Sequence, residues 1–66
     1  MYKNARAEMV RRGLRLEDVA KQMEKSISTL SLKLNGKFPF TLNEAKQFKE
    51  IVGSELPLEV LFEESM

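Results

Sequence analysis

Five interruptions constrain this chain more than any other feature. They are Gly13, the pair Asn35-Gly36, Pro39, Gly53 and Pro57, built on the residue types that punctuate regular structure. The stretches between them are short. Their apolar residues recur at helical spacing, β-branched residues are few, and no run alternates with period two. The pattern predicts an all-α fold: a compact bundle of five short helices packed around one core.

Each segment carries its own start or stop signal. The first helix is expected from about Lys3 to Arg12, with Ala5, Met9 and Val10 as its apolar stripe and Gly13 as the left-handed residue that ends it. The second is expected from about Leu16 to Met23. Val19, Ala20 and Met23 share a face, and Glu17 and Asp18 fall in the first turn, where the helix dipole favours carboxylates. The third runs from about Ile27 to Leu34. Ser26 is placed to cap it, Leu30 and Leu34 should point inward, and Asn35-Gly36 ends it. The fourth runs from about Leu42 to Val52. It has capping-box spacing at Thr41 and Glu44, and the clearest stripe: Leu42, Ala45, Phe48, Ile51 and Val52. The fifth is short, about Pro57 to Glu63, with Leu58, Leu61 and Phe62 on its apolar face. Phe38 and Phe40 flank Pro39, and at least one should pack on the core.

A chain of 66 residues makes one domain, here 1–66, and buries only about 60% of the surface its unfolded form exposes. It has no cysteine and no histidine. That removes disulfides, thiolate or imidazole metal sets, and Ser/His or Cys/His nucleophile systems. No Gly-rich phosphate loop is present, and the chain is too small for a deep pocket. An enzyme is therefore not expected, nor a cofactor, metal or small-molecule ligand. No apolar run approaches the roughly 20 residues of a membrane span, and Met1 to Val10 lacks the apolar stretch of a signal peptide. The expectation is a cytoplasmic protein without membrane contact.

Net charge is +1, unevenly spread. Residues 1–37 hold nine Lys and Arg against four Asp and Glu, a net +5; residues 38–66 hold two Lys against six Glu, a net −4. Such polarity is either chance in a small charged domain or a side suited to phosphates. Glu59, Glu63 and Glu64 are expected to form a solubilising face.

The second and third helices are joined only by Glu24-Lys25-Ser26. So short a link forces a steep meeting, as in a helix-turn-helix, here between Leu14 and Lys37. The run Leu14-Arg15-Leu16-Glu17-Asp18-Val19-Ala20-Lys21-Gln22-Met23 resembles the first half of the Cro/C1-type (XRE-like) helix-turn-helix of phage repressors. Ser26-Ile27-Ser28-Thr29-Leu30-Ser31 is similar to its recognition helix, and Asn35-Gly36-Lys37 to its exit. Phe40 to Ala45 and Leu58 to Phe62 resemble the fourth and fifth helices of small phage-type members. The resemblance covers nearly the whole chain. It implies a lambda-repressor-like DNA-binding fold and a sequence-specific transcriptional regulator of phage or prophage type, with repression the first expectation.

The resemblance also assigns roles by position. Ala20 falls where the two helices cross, and Leu30 takes the buried position of the recognition helix. Ser28, Thr29 and Leu32 fall at base-facing positions, with Ile27 beside them. Asn35 and Lys37 fall in the loop that meets phosphate. With the cap residue Ser26, the cations Arg11, Arg12, Arg15, Lys25, Lys33 and Lys37 are the candidate phosphate contacts; a solvated basic face is the alternative. Ile27 is either core edge or groove contact. Leu32 should point outward, where it suits a thymine methyl or a protein partner.

Some positions depart from the family pattern. Glu24 stands where the turn often carries Gly, which predicts a strained left-handed residue or a different turn. Arg15 stands where Ser or Thr usually caps, and Leu16 where Gln usually touches phosphate. Met9 and Leu34 stand where many members pair an Arg with a Glu. A buried ion pair can be exchanged for packed hydrophobes at little cost, provided both members change. The two are predicted to meet in the core.

The expected partner is double-stranded DNA, bound by a homodimer on half-sites roughly 34 Å apart. The dimer surface should involve helices four and five, with Leu56, Leu58, Val60 and Phe62 as candidates. The alternative is a protein-interaction module, an antitoxin or anti-repressor, with Ile27 and Leu32 at a protein interface.

Overall fold

Local stop signals place the helix ends. In the computed structural model, which describes residues 1–64, α1 spans Lys3–Arg11, α2 Leu16–Gln22, α3 Ile27–Leu34, α4 Leu42–Val52 and α5 Leu58–Leu61. Among the described residues there are five helices and no strand.

The first four helices end alike. A left-handed residue closes each: Gly13 (φ +70°), Glu24 (+57°) and Gly36 (+81°) just after the cap, and Gly53 (+65°) as the cap itself. The next N–H then donates back to the carbonyl five residues earlier: Leu14 to Met9, Lys25 to Ala20 and Lys37 to Leu32 at 2.9 Å, and Ser54 to Lys49 at 3.2 Å. Glycine takes this conformation without a Cβ clash. Glu24 does not, and an L side chain there costs roughly 1–2 kcal/mol. The left-handed Glu24 expected from the sequence is thus present, in a turn of the same kind as the others.

Starts are equally local. Ser26 Oγ accepts from the Thr29 N–H at 3.1 Å. Thr41 Oγ1 accepts from the Glu44 N–H, and Glu44 Oε1 accepts from the Thr41 N–H at 3.0 Å, a full capping box. The Arg15 side chain has no acceptor with which to cap α2. Asp18 instead accepts from the Arg15 N–H at 2.9 Å, so only the reverse half of the box exists.

The core gathers Ala5, Met9, Val19, Ala20, Met23, Leu30, Leu34, Phe48, Val52 and Leu61. Met9 and Leu34 both lie in it, Leu34 without any exposed surface. Phe40 extends the core through ring contacts with Tyr2, Phe48 and Phe62, while Phe38 stays at the surface. α2 packs on α3 and α4, and α5 on α1 and α4. The radius of gyration, 10.4 Å, is close to the about 11 Å expected of a folded chain this long. No described helix is long and apolar enough to cross a membrane.

Three apolar expectations need correction. Val10 is 77% exposed, and Glu8 takes its place inside. Counting from Ala5, Glu8 and Met9 are three and four residues on and share a face; Val10 is five on, about 140° away. Glu8 tolerates burial because the Ser54 hydroxyl donates to it and Arg11 Nε lies 3.5 Å away. Leu42 is exposed because a first-turn side chain leans back past its own helix start. Leu56 and Phe62, expected at a dimer surface, pack against the core; of that set Val60 is exposed and Leu58 half-buried.

Candidate nucleic-acid interface

The outer face of α3 follows from its inner one. Leu30 and Leu34 are one turn apart and fully buried, which turns the opposite side of the helix outward. Ile27 (49% exposed), Ser28 and Leu32 (37%) stand on the accessible surface. Ile27 is a surface residue and not part of the core. Thr29 and Ser31 are half-buried. Thr29 Oγ1 accepts from the Ser26 hydroxyl at 2.8 Å, so Ser26 spends both its donor and its cap acceptor within the protein.

Two lysines expected at phosphates are turned inward. Glu44, at the start of α4, accepts from Lys25 Nζ at 2.7 Å through Oε2 and from Lys33 Nζ at 3.0 Å through Oε1. Lys33 also donates to the Pro39 carbonyl at 3.0 Å, and its side chain is only 13% exposed. The cause is packing: α4 brings its capping carboxylate beside both the α2–α3 turn and the end of α3. Burial alone would push the Glu44 carboxyl up. The hydrogen bonds from Lys25, the Thr41 N–H and Lys33 outweigh it and pull the group down to about 2. Glu44 therefore stays ionised near neutral pH, and one carboxylate fastens the turn, α3 and α4 together.

Asn35 is also engaged. Its Oδ1 accepts from Arg6 Nη2 at 2.8 Å, which ties the end of α3 to α1. Its NH2 group keeps donors for an outside acceptor. Lys37 and Arg12 are exposed. Arg15 lies 3.4 Å from Glu17, and Arg11 3.5 Å from Glu8. The Arg15–Glu17 pair lies at the surface and is weak, so Arg15 can be drawn to a phosphate; Arg11 stays 73% exposed beside buried Glu8 and offers its remaining N–H donors. Of the candidate cations, Arg11, Arg12, Arg15 and Lys37 are thus available, while Lys25 and Lys33 serve the fold. Leu16, which stands where the resemblance expects a phosphate-touching Gln, packs partly against the core.

The Glu44 clamp, the Arg6–Asn35 bond and the Glu8–Ser54 bond were not foreseen from the sequence. Thr41 and Glu44 signalled the cap, but nothing in their spacing points to Lys33, 11 residues earlier. Glu8 could have been found, since it lies in the helical stripe with Ala5 and Met9. No family model, curated protein or solved structure matches this chain.

Proposed function

We propose that the chain is a sequence-specific DNA-binding transcriptional regulator of the phage or prophage repressor type, acting in a bacterial cytoplasm. α2 and α3 form its helix-turn-helix within a lambda-repressor-like arrangement, and α3 enters the major groove. One observation carries this. Fully buried Leu30 and Leu34 hold α3 from behind, while Ile27, Ser28 and Leu32 stand clear on a helix without a single acidic residue. A helix can enter the groove only if its outer face is free. The basic first half of the chain and the resemblance of Leu14 to Lys37 to the Cro/C1 pattern support the same conclusion. So small a domain makes few base contacts, so it acts as a homodimer, with Leu42, Leu58 and Val60 of α4 and α5 as the apolar surface left for pairing.

The test is selection from a random duplex library at a stated moderate salt, followed by affinity against salt. With both protomers of the dimer on DNA, four available cations in each predict a log–log slope of about −7.2, against about −10.8 if Lys25 and Lys33 also met phosphates. Failure to enrich any sequence refutes the proposal.

Exposed Ile27, Leu32 and Phe38 favour a second possibility, a protein-interaction module such as an antitoxin or anti-repressor. Arg12→Glu with Arg15→Glu separates the two. It abolishes DNA binding in the first case and leaves partner binding nearly unchanged in the second.

A further inference from the structure

We infer that this chain reads its DNA site chiefly through the C5 methyl groups of thymine, contacted by Ile27 and Leu32, and not through hydrogen bonds to base edges. This rests on the DNA-binding role proposed above and names the chemistry that role would recognise.

The groove's strongest polar discrimination comes from Arg, Lys, Asn or Gln bonding two base atoms at once. Within α3 only Lys33 has such a side chain, and it is committed to Glu44 and the Pro39 carbonyl at 3.0 Å each. At the two ends of the helix, Lys25 is held by the other oxygen of Glu44, and Asn35 accepts from Arg6. Ser26 is spent as the cap. Exposed Ser28 and half-buried Thr29, whose Oγ1 already accepts from Ser26, are short, single-contact groups that serve several bases about equally.

What remains is aliphatic. Leu32 lies two residues from Leu30 and two from Leu34, about 200° round the helix from either, so it faces away from the core. Ile27 opens the first turn, the part of such a helix that reaches deepest into the groove. Both are large and exposed, and neither belongs to the core. The principal apolar group a B-form major groove offers them is the thymine methyl. The site is therefore read as A·T pairs whose thymines turn their methyls to α3.

The experiment uses the duplex recovered by library selection and the same duplex made with deoxyuridine at each thymine in turn. The exchange keeps base pairing and removes only the methyl. Affinity should fall about fourfold at each contacted thymine and stay level elsewhere. Leu32→Ala and Ile27→Ala, both surface changes whose folding is checked by circular dichroism, should each bind more weakly and lose the penalty at one matching thymine. A duplex that binds equally well with every thymine exchanged overturns the inference alone. So does a full deoxyuridine penalty retained in both variants. Recovery of no duplex at all overturns the DNA-binding role and this inference with it.

Discussion

Glu44→Gln tests the arrangement that separates structural from available cations. The carboxylate sits between Lys25 and Lys33 at 2.7 and 3.0 Å, with its own side chain 15% exposed. Its carboxyl is pulled from 4.5 to about 2. At about 1.4 kcal/mol per unit this difference corresponds to about 3 kcal/mol. Part of the group remains wet and screened, so about 1.5–2 kcal/mol is the expected contribution. A depressed folded-state value stabilises fully above the unfolded value of 4.5, and the benefit disappears as pH falls toward 2. The glutamine variant keeps a carbonyl for the Thr41 N–H but leaves the two ammonium groups facing each other without a counter-charge. Urea unfolding followed by circular dichroism at pH 7, 5, 4, 3 and 2.5 gives the comparison. Near neutral pH the variant should be about 1.5–2 kcal/mol less stable, roughly 6–16 °C in melting temperature for a domain this size. The gap should close as pH falls through 4.5 to about 2. Parallel stability curves for the two proteins, or equal stability at pH 7, would refute the clamp.

Three further outcomes follow from the same structure. Glu24→Gly should raise stability by about 1 kcal/mol, because the left-handed strain at φ +57° exceeds the added chain entropy of glycine; a lower melting temperature would count against it. Met9→Arg alone should cost about 3–5 kcal/mol by burying an unpaired charge, and Met9→Arg with Leu34→Glu should recover most of it, since both positions lie in one core. A double-mutant cycle without coupling would show that the two side chains do not meet. Ser54→Ala should cost about 1.5–3 kcal/mol in denaturant unfolding, because buried Glu8 loses its hydroxyl donor; a loss below about 0.5 kcal/mol would mean that water replaces it.

The boundaries of the helices were legible because their causes are local. A left-handed residue after Arg12, Asn35 or Val52, or a hydroxyl three residues before an N–H, acts within one turn of chain. Inward residues at three- and four-residue spacing, such as Ala45 and Phe48, were legible for the same reason. Val10 was misplaced by a one-step error in that spacing, and Leu42 by its position at a helix start, where there is little core left to cover it. The surface face of α3 followed from Leu30 and Leu34 by geometry alone.

Side-chain commitments were not legible, because they depend on contacts between distant segments. Nothing near Lys33 in the chain marks it as a ligand of Glu44, and nothing near Arg6 marks Asn35. The sequence by itself determined five short helices, the direction in which α3 faces and the excess of cations in the first half. Only the tertiary structure decided which cations remain available, because a lysine's charge goes to whichever carboxylate packing brings within about 3 Å, and that choice is made by helices meeting, not by residues adjacent in the chain.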